Sequence, residues 1–485
     1  MPARYFIRTL GCKANTSDSR ALEAELQRRG WLPASNEQDP DIHLCIVNSC
    51  TVTDEAEYQS RKAAERLYRK NRSARVVVTG CSVEVDAKSL SRSKGIHYLV
   101  GNRNKPEMAR LLIEAIEKEA IPPKLPVLLG QNEGDRSESK PMLSKHEPGF
   151  QWPAPGLIDE PITMTQTRTR AFVKVQEGCD SFCTYCIIPY GRGPSRSLKI
   201  DQVVTGVQGL VERGIREAVI TGTNIGDYGK DWAGSPQLVT LCERIFSETA
   251  LERLRLSSLD PTEITDGLVE LMAREARFCR HFHVSVQSVN SRILRLMKRR
   301  YTFENVKECL ERIARLNAFV GLDLITGFPG ESKADFVECV SRLEGLPWSR
   351  LHVFPYSERA DTPATRLPGS VPKGEKSSRA QALSALSLSR LNGHYSGILK
   401  RAKDSGLVLR GVLMENPCRG PDGTRQWVAG YTPHYIRVLV PSVGRKLHNQ
   451  IMTVRPERIM VDLPGSEITF LGKLIESAPR SSSHC

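Results

Sequence analysis

The sequence lacks a hydrophobic run of the length that a membrane span requires. No stretch of the 485 residues approaches the roughly 20 consecutive apolar residues of a transmembrane helix. The segment from Met1 to Arg8 also lacks the apolar core and small residues of a signal peptide, so we expect a cytoplasmic protein without a membrane partner. Because the cytoplasm is reducing, the 13 cysteines are poor candidates for disulfides, and the clustered ones indicate metal or redox chemistry.

Acidic residues are scarce relative to basic ones. The chain has 69 Lys and Arg against 55 Asp and Glu, a net charge of +14, while its 40% of hydrophobic residues is ordinary for a globular protein. An excess of positive charge favours a polyanionic partner, and nucleic acid is the first such partner to consider. A merely basic enzyme has the same composition, so charge alone leaves both interpretations open.

Six of the cysteines form two sets of three. The compact set has C-x3-C-x2-C spacing and consists of Cys179, Cys183 and Cys186. The separated set lies far upstream and consists of Cys12, Cys50 and Cys81. A compact triplet can hold three irons of a four-iron cluster and leave the fourth iron open for chemistry, and the second set suggests a second cluster of this kind. A zinc loop is the alternative, although zinc sites usually have C-x2-C pairs and a fourth ligand.

Residues 1–118 have the pattern of an α/β unit in which each separated cysteine follows a strand. The predicted strands span 5–10, 43–47 and 75–79. Ligands collect at the C-terminal edge of parallel strands, so three cysteines that are distant in sequence are expected to meet at one site. Beyond this unit, residues 119–169 are rich in Pro, Ser, Gly, Glu and Lys without periodicity, which predicts a linker of a composition typical of disordered segments.

Residues 170–400 repeat a strand–helix rhythm six times. The predicted strands are Ala171–Gln176, Glu217–Thr221, Arg253–Ser258, His281–Gln287, Phe319–Thr326 and Arg350–Pro355. Six such units predict a partial (β/α)6 barrel, whose active site lies at the C-terminal ends of the strands.

Residues 401–474 predict a small all-β barrel, and residues 475–485 form a tail. Short strands alternate with turn residues here, and basic residues outnumber acidic ones. Trp427, Tyr431 and Tyr435 are interleaved with them, as in a barrel that binds nucleic acid. The alternative is that these rings form the core of the barrel.

The loop around the compact cysteine set resembles the signature of the radical S-adenosylmethionine (SAM) superfamily. It reads Glu177-Gly-Cys-Asp-Ser-Phe-Cys-Thr-Tyr-Cys-Ile-Ile-Pro-Tyr190. The segments Thr9–Asn15, Val47–Thr53 and Thr79–Cys81 resemble the N-terminal domain of the methylthiotransferases, and the C-terminal barrel is similar to their TRAM domain, a tRNA-binding module. The resemblance covers nearly the whole chain. It implies an α/β multidomain enzyme with two [4Fe–4S] clusters that uses SAM.

The resemblance also assigns roles to the two cysteine sets. The compact set would hold the radical cluster, and the separated set would hold an auxiliary cluster through Cys12, Cys50 and Cys81. In that family a radical derived from SAM removes hydrogen from C2 of a modified adenine, and a methylthio group formed at the auxiliary cluster is transferred there. A flavodoxin- or ferredoxin-like electron donor and a sulfur source are the partners that the resemblance implies besides tRNA.

The family has three branches, which act on isopentenyladenosine in tRNA, threonylcarbamoyladenosine in tRNA, or an aspartate of a ribosomal protein. Segments that resemble the second branch are Asn48–Thr53, Leu256–Ile264, Arg299–Thr302 and His352–Ser357. They predict methylthiolation of N6-threonylcarbamoyladenosine next to the anticodon. The other two branches remain alternatives, as does a non-catalytic iron–sulfur protein that binds RNA. Gln287-Ser-Val-Asn departs from the usual Gln-Ser-Gly-Ser, and the linker is long.

Cofactor contacts are expected at the ends of the barrel strands. The predicted SAM-binding residues are Tyr185 against the adenine, Thr221, Gly222 and Asn224 at the methionyl end, and Ser257, Gln287 and Thr326 at the ribose or adenine. Arg192 and Arg196 follow the cluster loop and are expected to face a carboxylate or tRNA, with a solvated surface role as the alternative. The histidines are expected to be structural rather than ligands.

Overall fold

The computed structural model describes residues 2–118, 123, 126–129, 169–234, 237–442, 444–462 and 467–475. The N-terminal domain is a parallel six-stranded sheet in the order β2-β1-β3-β4-β5-β6. Its strands are β1 (Arg4–Thr9), β2 (Leu32–Pro33), β3 (Leu44–Ser49), β4 (Arg75–Gly80), β5 (Tyr98–Val100) and β6 (Val127–Leu129). Its helices are α1 (Lys13–Arg28), α2 (Asp54–Lys70), α3 (Cys81–Leu90) and α4 (Met108–Lys118).

Helices cover both faces of this sheet. Every residue of β3 is buried, as expected for a central parallel strand packed on two sides. Leu26 and Ile46 belong to the apolar cluster on one face, and Val47 and Leu67 belong to the cluster on the other. The two clusters fix the strand register and therefore the level at which each strand ends.

The first sheet extends further along the chain than the boundary at residue 118 predicts. β6 pairs in parallel with β5 through Val100 and Leu129, so part of the expected linker completes the N-terminal sheet. Three apolar residues beside prolines give too short a pattern to be recognised as a strand. Most of the remaining linker, and the tail from residue 476, lie outside the described residues.

The central domain is a partial barrel of parallel strands, which confirms the predicted fold class. It comprises a sheet in the order β11-β10-β7, a sheet in the order β12-β13-β14-β15, and the antiparallel pair β8-β9. The strands are β7 (Arg170–Lys174), β8 (Gln176–Glu177), β9 (Arg196–Ser197), β10 (Glu217–Thr221), β11 (Arg253–Leu256), β12 (Ser258–Leu259), β13 (His281–Gln287), β14 (Phe319–Thr326) and β15 (Arg350–Pro355). The helices are α5 (Ile188–Arg192), α6 (Ile200–Glu212), α7 (Leu238–Glu248), α8 (Asp266–Arg274), α9 (Ser291–Leu296), α10 (Phe303–Ala314) and α11 (Lys333–Gly345).

A long helix joins this domain to the C-terminal domain. Helix α12 (Lys373–Ser405) has 33 residues and ends where Gly406 adopts a left-handed conformation, so the predicted boundary at 400/401 falls inside it. Among the described residues, no helix is both long and apolar enough to cross a membrane. A closed barrel follows, in the order β16-β17-β18-β20-β19. Its strands are β16 (Leu409–Cys418), β17 (Trp427–Tyr431), β18 (Arg437–Pro441), β19 (Ile451–Asp462) and β20 (Glu467–Ile475).

The C-terminal barrel docks on the central barrel through two of the tyrosines that the sequence associates with nucleic acid. The rings of Tyr431 and Tyr435 stack with centroids 4.9 Å apart, and the guanidinium of Arg170 lies 4.8 Å from the Tyr431 centroid. Arg255 lies 5.0 Å from the Tyr435 centroid and donates a hydrogen bond to the carbonyl of Pro433. Both rings are therefore half-buried against cationic side chains of the central domain, and their stacking on nucleic acid stays a prediction.

Candidate active site between the two cysteine sets

The separated cysteines come together at the C-terminal edge of the first sheet. The register pairs Thr9 with Asn48 and Ser49 with Gly80, so strands β1, β3 and β4 end at the same level. Gly11 has φ +90°, and a Cβ there would lie 2.6 Å from the Cβ of Cys50. Only glycine allows the chain before Cys12 to pass so close to Cys50.

Hydrogen bonds hold these cysteine loops in place. The Asn15 side chain donates to the carbonyls of Leu10 and Ser49 at 2.8 and 2.9 Å, and the Ser82 hydroxyl donates to the carbonyl of Cys50 at 3.0 Å. Cys12 precedes helix α1 and makes no capping bond with its side chain, so its thiol is available to a ligand. Burial raises the pKa of Cys50 to about 11, so loss of its proton needs a cation such as iron.

The compact cysteines lie on a loop that follows β8. Gly178 has φ +79°, and a Cβ there would clash with the carbonyl of Pro194. The amide of Cys179 donates to the carbonyl of Gly193 at 3.0 Å, and the amide of Cys186 donates to the carbonyl of Cys183 at 3.0 Å. The loop is thus folded back on itself by its own backbone hydrogen bonds.

An ion pair between an arginine and an aspartate lies beside the compact cysteine set. Arg299 donates a hydrogen bond to the Cys183 sulfur at 3.1 Å and also pairs with Asp260. A cavity of about 290 Å³ opens here, and its lining includes Cys183, Asp260, Glu263 and Arg299. Burial, together with the charge of Asp260, raises the pKa of Glu263 to about 7. No motif in the sequence predicted that Arg299, Asp260 and Glu263 form a site. Arg299 does begin one of the segments on which the family resemblance rests.

The two cysteine sets are separated by helix α5, which begins two residues after Cys186. At its other end, a Cβ on Gly191 would lie 3.4 Å from the Cβ of Cys81. The Asn102 amide donates to the carbonyl of Gly191 and lies 3.6 Å from the Cys81 sulfur. Five helical residues rise only about 7.5 Å, so the two sites are close neighbours.

A second connection between the cysteine loops comes from the segment after β15. Arg359 donates to the hydroxyl of Thr51, which follows Cys50, and to Asp54, each at 2.6 Å. The amide of Ala364, five residues later, donates to the carbonyl of Thr184 at 2.8 Å. One short segment therefore positions both loops.

Arg192 is buried, so the alternative of a solvated surface role for this residue is wrong. Its side chain is 1% exposed, and it donates hydrogen bonds to Glu177, Asn15 and Asp18. Arg196 is half-buried and donates to the carbonyls of Arg192 and Pro194. The reason is that the N-terminal domain covers this loop, which the local sequence does not reveal.

The predicted SAM-binding residues lie at strand ends of the central barrel, as the topology requires. The Asn224 amide donates to Asp227 and Glu263 at 3.0 Å each. Gly222 faces Gln176, since a Cβ there would lie 2.7 Å from the Gln176 carbonyl. The side chains of Thr221, Ser257 and Thr326 are buried, Gln287 adopts φ +63°, and the Tyr185 ring lies edge-on to Phe328. Their contact with SAM remains a prediction.

Both cysteine sets have the donor atoms that a four-iron cluster needs. Each set offers three thiols, and cationic Arg299 and Arg192 lie beside them to offset thiolate charge.

Two family models match the chain. The model of the Radical SAM superfamily matches residues 173–343, and the model described as Uncharacterized protein family UPF0004 matches residues 4–101. The threonylcarbamoyladenosine tRNA methylthiotransferase MtaB of Aquifex aeolicus is 34% identical over 409 residues, which cover 84% of this chain and 92% of that protein. The tRNA-2-methylthio-N(6)-dimethylallyladenosine synthase of Carboxydothermus hydrogenoformans is 32% identical over 388 residues, or 78% and 82% of the two chains.

A solved structure shares the fold. The radical S-adenosylmethionine methyltransferase TsrM of Kitasatospora setae superposes with a TM-score of 0.53 over 75% of each chain, at 16% identity. At this identity the likeness concerns the fold alone.

Proposed function

This chain belongs to the radical SAM methylthiotransferase family, and we propose that it adds a methylthio group to C2 of N6-threonylcarbamoyladenosine next to the anticodon of tRNA. The enzyme uses SAM and two [4Fe–4S] clusters. The observation that supports the reaction most directly is the approach of Gly191, in the loop of the compact cysteines, to Cys81 of the separated set. Hydrogen abstraction and sulfur delivery at one carbon require two neighbouring sites.

The six cysteines are the proposed ligands. Cys179, Cys183 and Cys186 would hold the radical cluster, and Cys12, Cys50 and Cys81 would hold the auxiliary one. When bound, these groups and SAM supply a radical that can take hydrogen from an unactivated C–H bond and a sulfur atom for transfer. The protein's own contribution is to fix both loops and to exclude water, through the hydrogen bonds of Asn15, Asn102, Arg359 and Ala364.

The C-terminal barrel is the proposed tRNA-binding domain, in the role of a TRAM domain. Tyr431 and Tyr435 are half-buried against the central domain, so the exposed arginines of β19, Arg455 and Arg458, are the better phosphate contacts. Trp427, whose indole donates to Asp422 at 3.0 Å, is half-buried at the start of β17 and could stack on a base. A cytoplasmic location, a flavodoxin- or ferredoxin-like reductant and a separate sulfur source belong to the same proposal.

Isopentenyladenosine in tRNA is the second candidate substrate. The synthase of Carboxydothermus hydrogenoformans, which is named for the dimethylallyl nucleoside, is nearly as similar to this chain as the Aquifex aeolicus enzyme. The segments His352–Ser357 and Arg299–Thr302 favour the threonylcarbamoyl substrate.

Mass spectrometry of tRNA nucleosides from host cells with and without the gene tests the proposal. We expect the 2-methylthio nucleoside to disappear and threonylcarbamoyladenosine to accumulate, with rescue by the wild-type gene but not by Cys183→Ser. Accumulation of isopentenyladenosine would instead identify the second substrate. An unchanged tRNA profile, in a host without another such enzyme, would contradict a tRNA substrate.

A further inference from the structure

The interior of the central barrel contains a group of polar side chains with no role in the clusters. His283 on β13 and Asp323 on β14 form a hydrogen bond of 2.6 Å between Nε2 and Oδ1. The ring of His352 on β15 stacks on that of His283 at 4.9 Å and lies 3.6 Å from where a Cβ on Gly321 would be. The two imidazoles and the carboxylate thus lie together on neighbouring strands inside the barrel.

Lys13 reaches this group from the other domain. It follows Cys12 and begins helix α1, which packs against β7 through the pairing of Asp18 with Lys174. The negative charge of Asp323 in the central barrel favours the Lys13 ammonium, whereas the charges of Arg255 and Arg170 repel it. Lys13 therefore lies beside the auxiliary site, at the start of a helix that packs against the central barrel.

Most other charged groups in this region have a partner, whereas Lys13 forms no ion pair within the described residues. Glu217 pairs with Arg253 and Arg255 at 2.7 Å each, and Asp323 is hydrogen-bonded to His283, which makes an ion pair only when the imidazole is protonated. Arg170 pairs with Glu415 at 2.6 Å in the same way. Within the described part of the chain, Lys13 has no hydrogen bond or ion pair to an acceptor, so an incoming anion would find a cation ready to bind it.

Two exposed apolar side chains follow residues already described. Phe354 follows His352 by two residues on β15, so both side chains lie on the same face of the sheet, and Phe354 is 46% exposed. Val52, two residues after Cys50, is 48% exposed. An exposed ring on the strand of His352 and an exposed aliphatic side chain near Cys50 are suited to contact a flat nucleobase.

We propose that the Lys13 ammonium binds the carboxylate of the threonylcarbamoyl substituent and so makes the enzyme selective for an anionic N6 substituent over an apolar one. This inference rests on the proposed function. In adenine, C2 and the N6 substituent flank the same ring nitrogen, N1. A base whose C2 faces the separated cysteines can therefore place its N6 substituent close to Lys13, the residue after Cys12.

The test compares two RNA substrates with three enzymes. The substrates are anticodon stem–loops that carry threonylcarbamoyladenosine or its methyl ester, which lacks the negative charge. The enzymes, with both clusters assembled, are the wild type, Lys13→Gln and Lys13→Arg. Lys307→Gln is the matched control, since Lys307 is exposed on α10 and pairs with the exposed Glu311. The readouts are kcat/KM, RNA affinity and iron content.

The wild type should prefer the acid over the ester by about 10- to 100-fold in kcat/KM, the range of one charge-assisted hydrogen bond. Lys13→Gln should remove that preference while it keeps its iron and its SAM cleavage, and Lys13→Arg should keep part of it. If the wild type treats acid and ester alike, or if Lys13→Gln retains the preference, the inference is wrong. Failure of the wild type to modify either RNA would count against the proposed function instead.

Discussion

Arg192 and Asp18 form a buried ion pair of 3.1 Å between the loop of the compact cysteines and the first helix of the N-terminal domain. Asp18 also pairs with Lys105 and Lys174, and Arg192 also pairs with Glu177. Five charged groups from two domains thus share one network beside the cysteine sites. Because the network is buried, water cannot solvate a charge that loses its partners. Removal of one charged group therefore destabilises the groups that remain.

Replacement of Asp18 by Asn should lower the free energy of unfolding by about 3–5 kcal/mol, because two lysines and Arg192 lose their central anion. Urea unfolding of the cluster-free protein at pH 7 measures this. Asp201→Asn is the control: Asp201 is highly exposed and pairs with Arg244, so its loss should cost at most about 1 kcal/mol. Equal losses for both variants would mean that the network contributes little.

The same network predicts a dependence of stability on pH. Burial alone would raise the pKa of Asp18, but Lys105, Lys174 and Arg192 hold that pKa well below its usual value. Because the unfolded carboxyl has the higher pKa of about 3.9, the stabilisation is complete above that pH and is lost as the pH falls towards the folded pKa. Unfolding curves from pH 6 to pH 3 should therefore fall more steeply for the wild type than for Asp18→Asn.

The two cysteine sets should be separable by substitution. The wild type should bind about eight irons, two four-iron clusters, whereas Cys183→Ser should bind about four and lose SAM cleavage. Cys50→Ser should also bind about four irons but keep SAM cleavage while it loses methylthio transfer. Cys418→Ser, in the C-terminal barrel, is the control and should keep the full complement. A variant of Cys50 that abolished SAM cleavage would contradict the assignment of two independent clusters.

Arg299 should tune the cluster at the compact set. Its hydrogen bond to the Cys183 sulfur and its positive charge favour the reduced, more negative state of a bound cluster. Arg299→Gln should therefore lower the midpoint potential, by up to about 100 mV if one charged hydrogen bond is lost in full. Redox titration followed by electron paramagnetic resonance measures the shift. Arg274→Gln on the exposed face of α8 should leave the potential unchanged.

The outer face of the C-terminal barrel, rather than its tyrosines, should govern tRNA affinity. Removal of Arg455 and Arg458 together should reduce the slope of log affinity against log salt by about 1.4–1.8, the value for two phosphate contacts. Tyr435→Ala should leave that slope unchanged but lower stability by about 3 kcal/mol, since its ring packs against Arg255 and His281. Fluorescence anisotropy at several salt concentrations distinguishes the two outcomes.

Features that depend on local periodicity could be predicted from the sequence. The six barrel strands occupy the predicted segments, and the strands before Cys12, Cys50 and Cys81 end at one edge of a parallel sheet. The three cysteines converge because parallel neighbours in register must end at the same level. Predictions of this kind need only the alternation of strands and helices.

Docking between domains could not be predicted in the same way. Arg192 is buried because Asp18, 174 residues earlier, covers it, and Tyr435 is half-buried because Arg255 lies against its ring. In the local sequence, neither Arg192 nor Tyr435 differs from an ordinary arginine or tyrosine of a basic segment. The partners that decide its burial lie in other domains, where no spacing rule relates them to it.

The buried network around Arg192 also has a consequence for modularity. A recombination event, or an expression experiment, that separated the N-terminal domain from the barrel would leave Asp18 on one product, and Lys174, Glu177 and Arg192 on the other. Each product would have to open its interior to water around those charges. The two domains should therefore be inherited and expressed together, whatever the length of the chain between them.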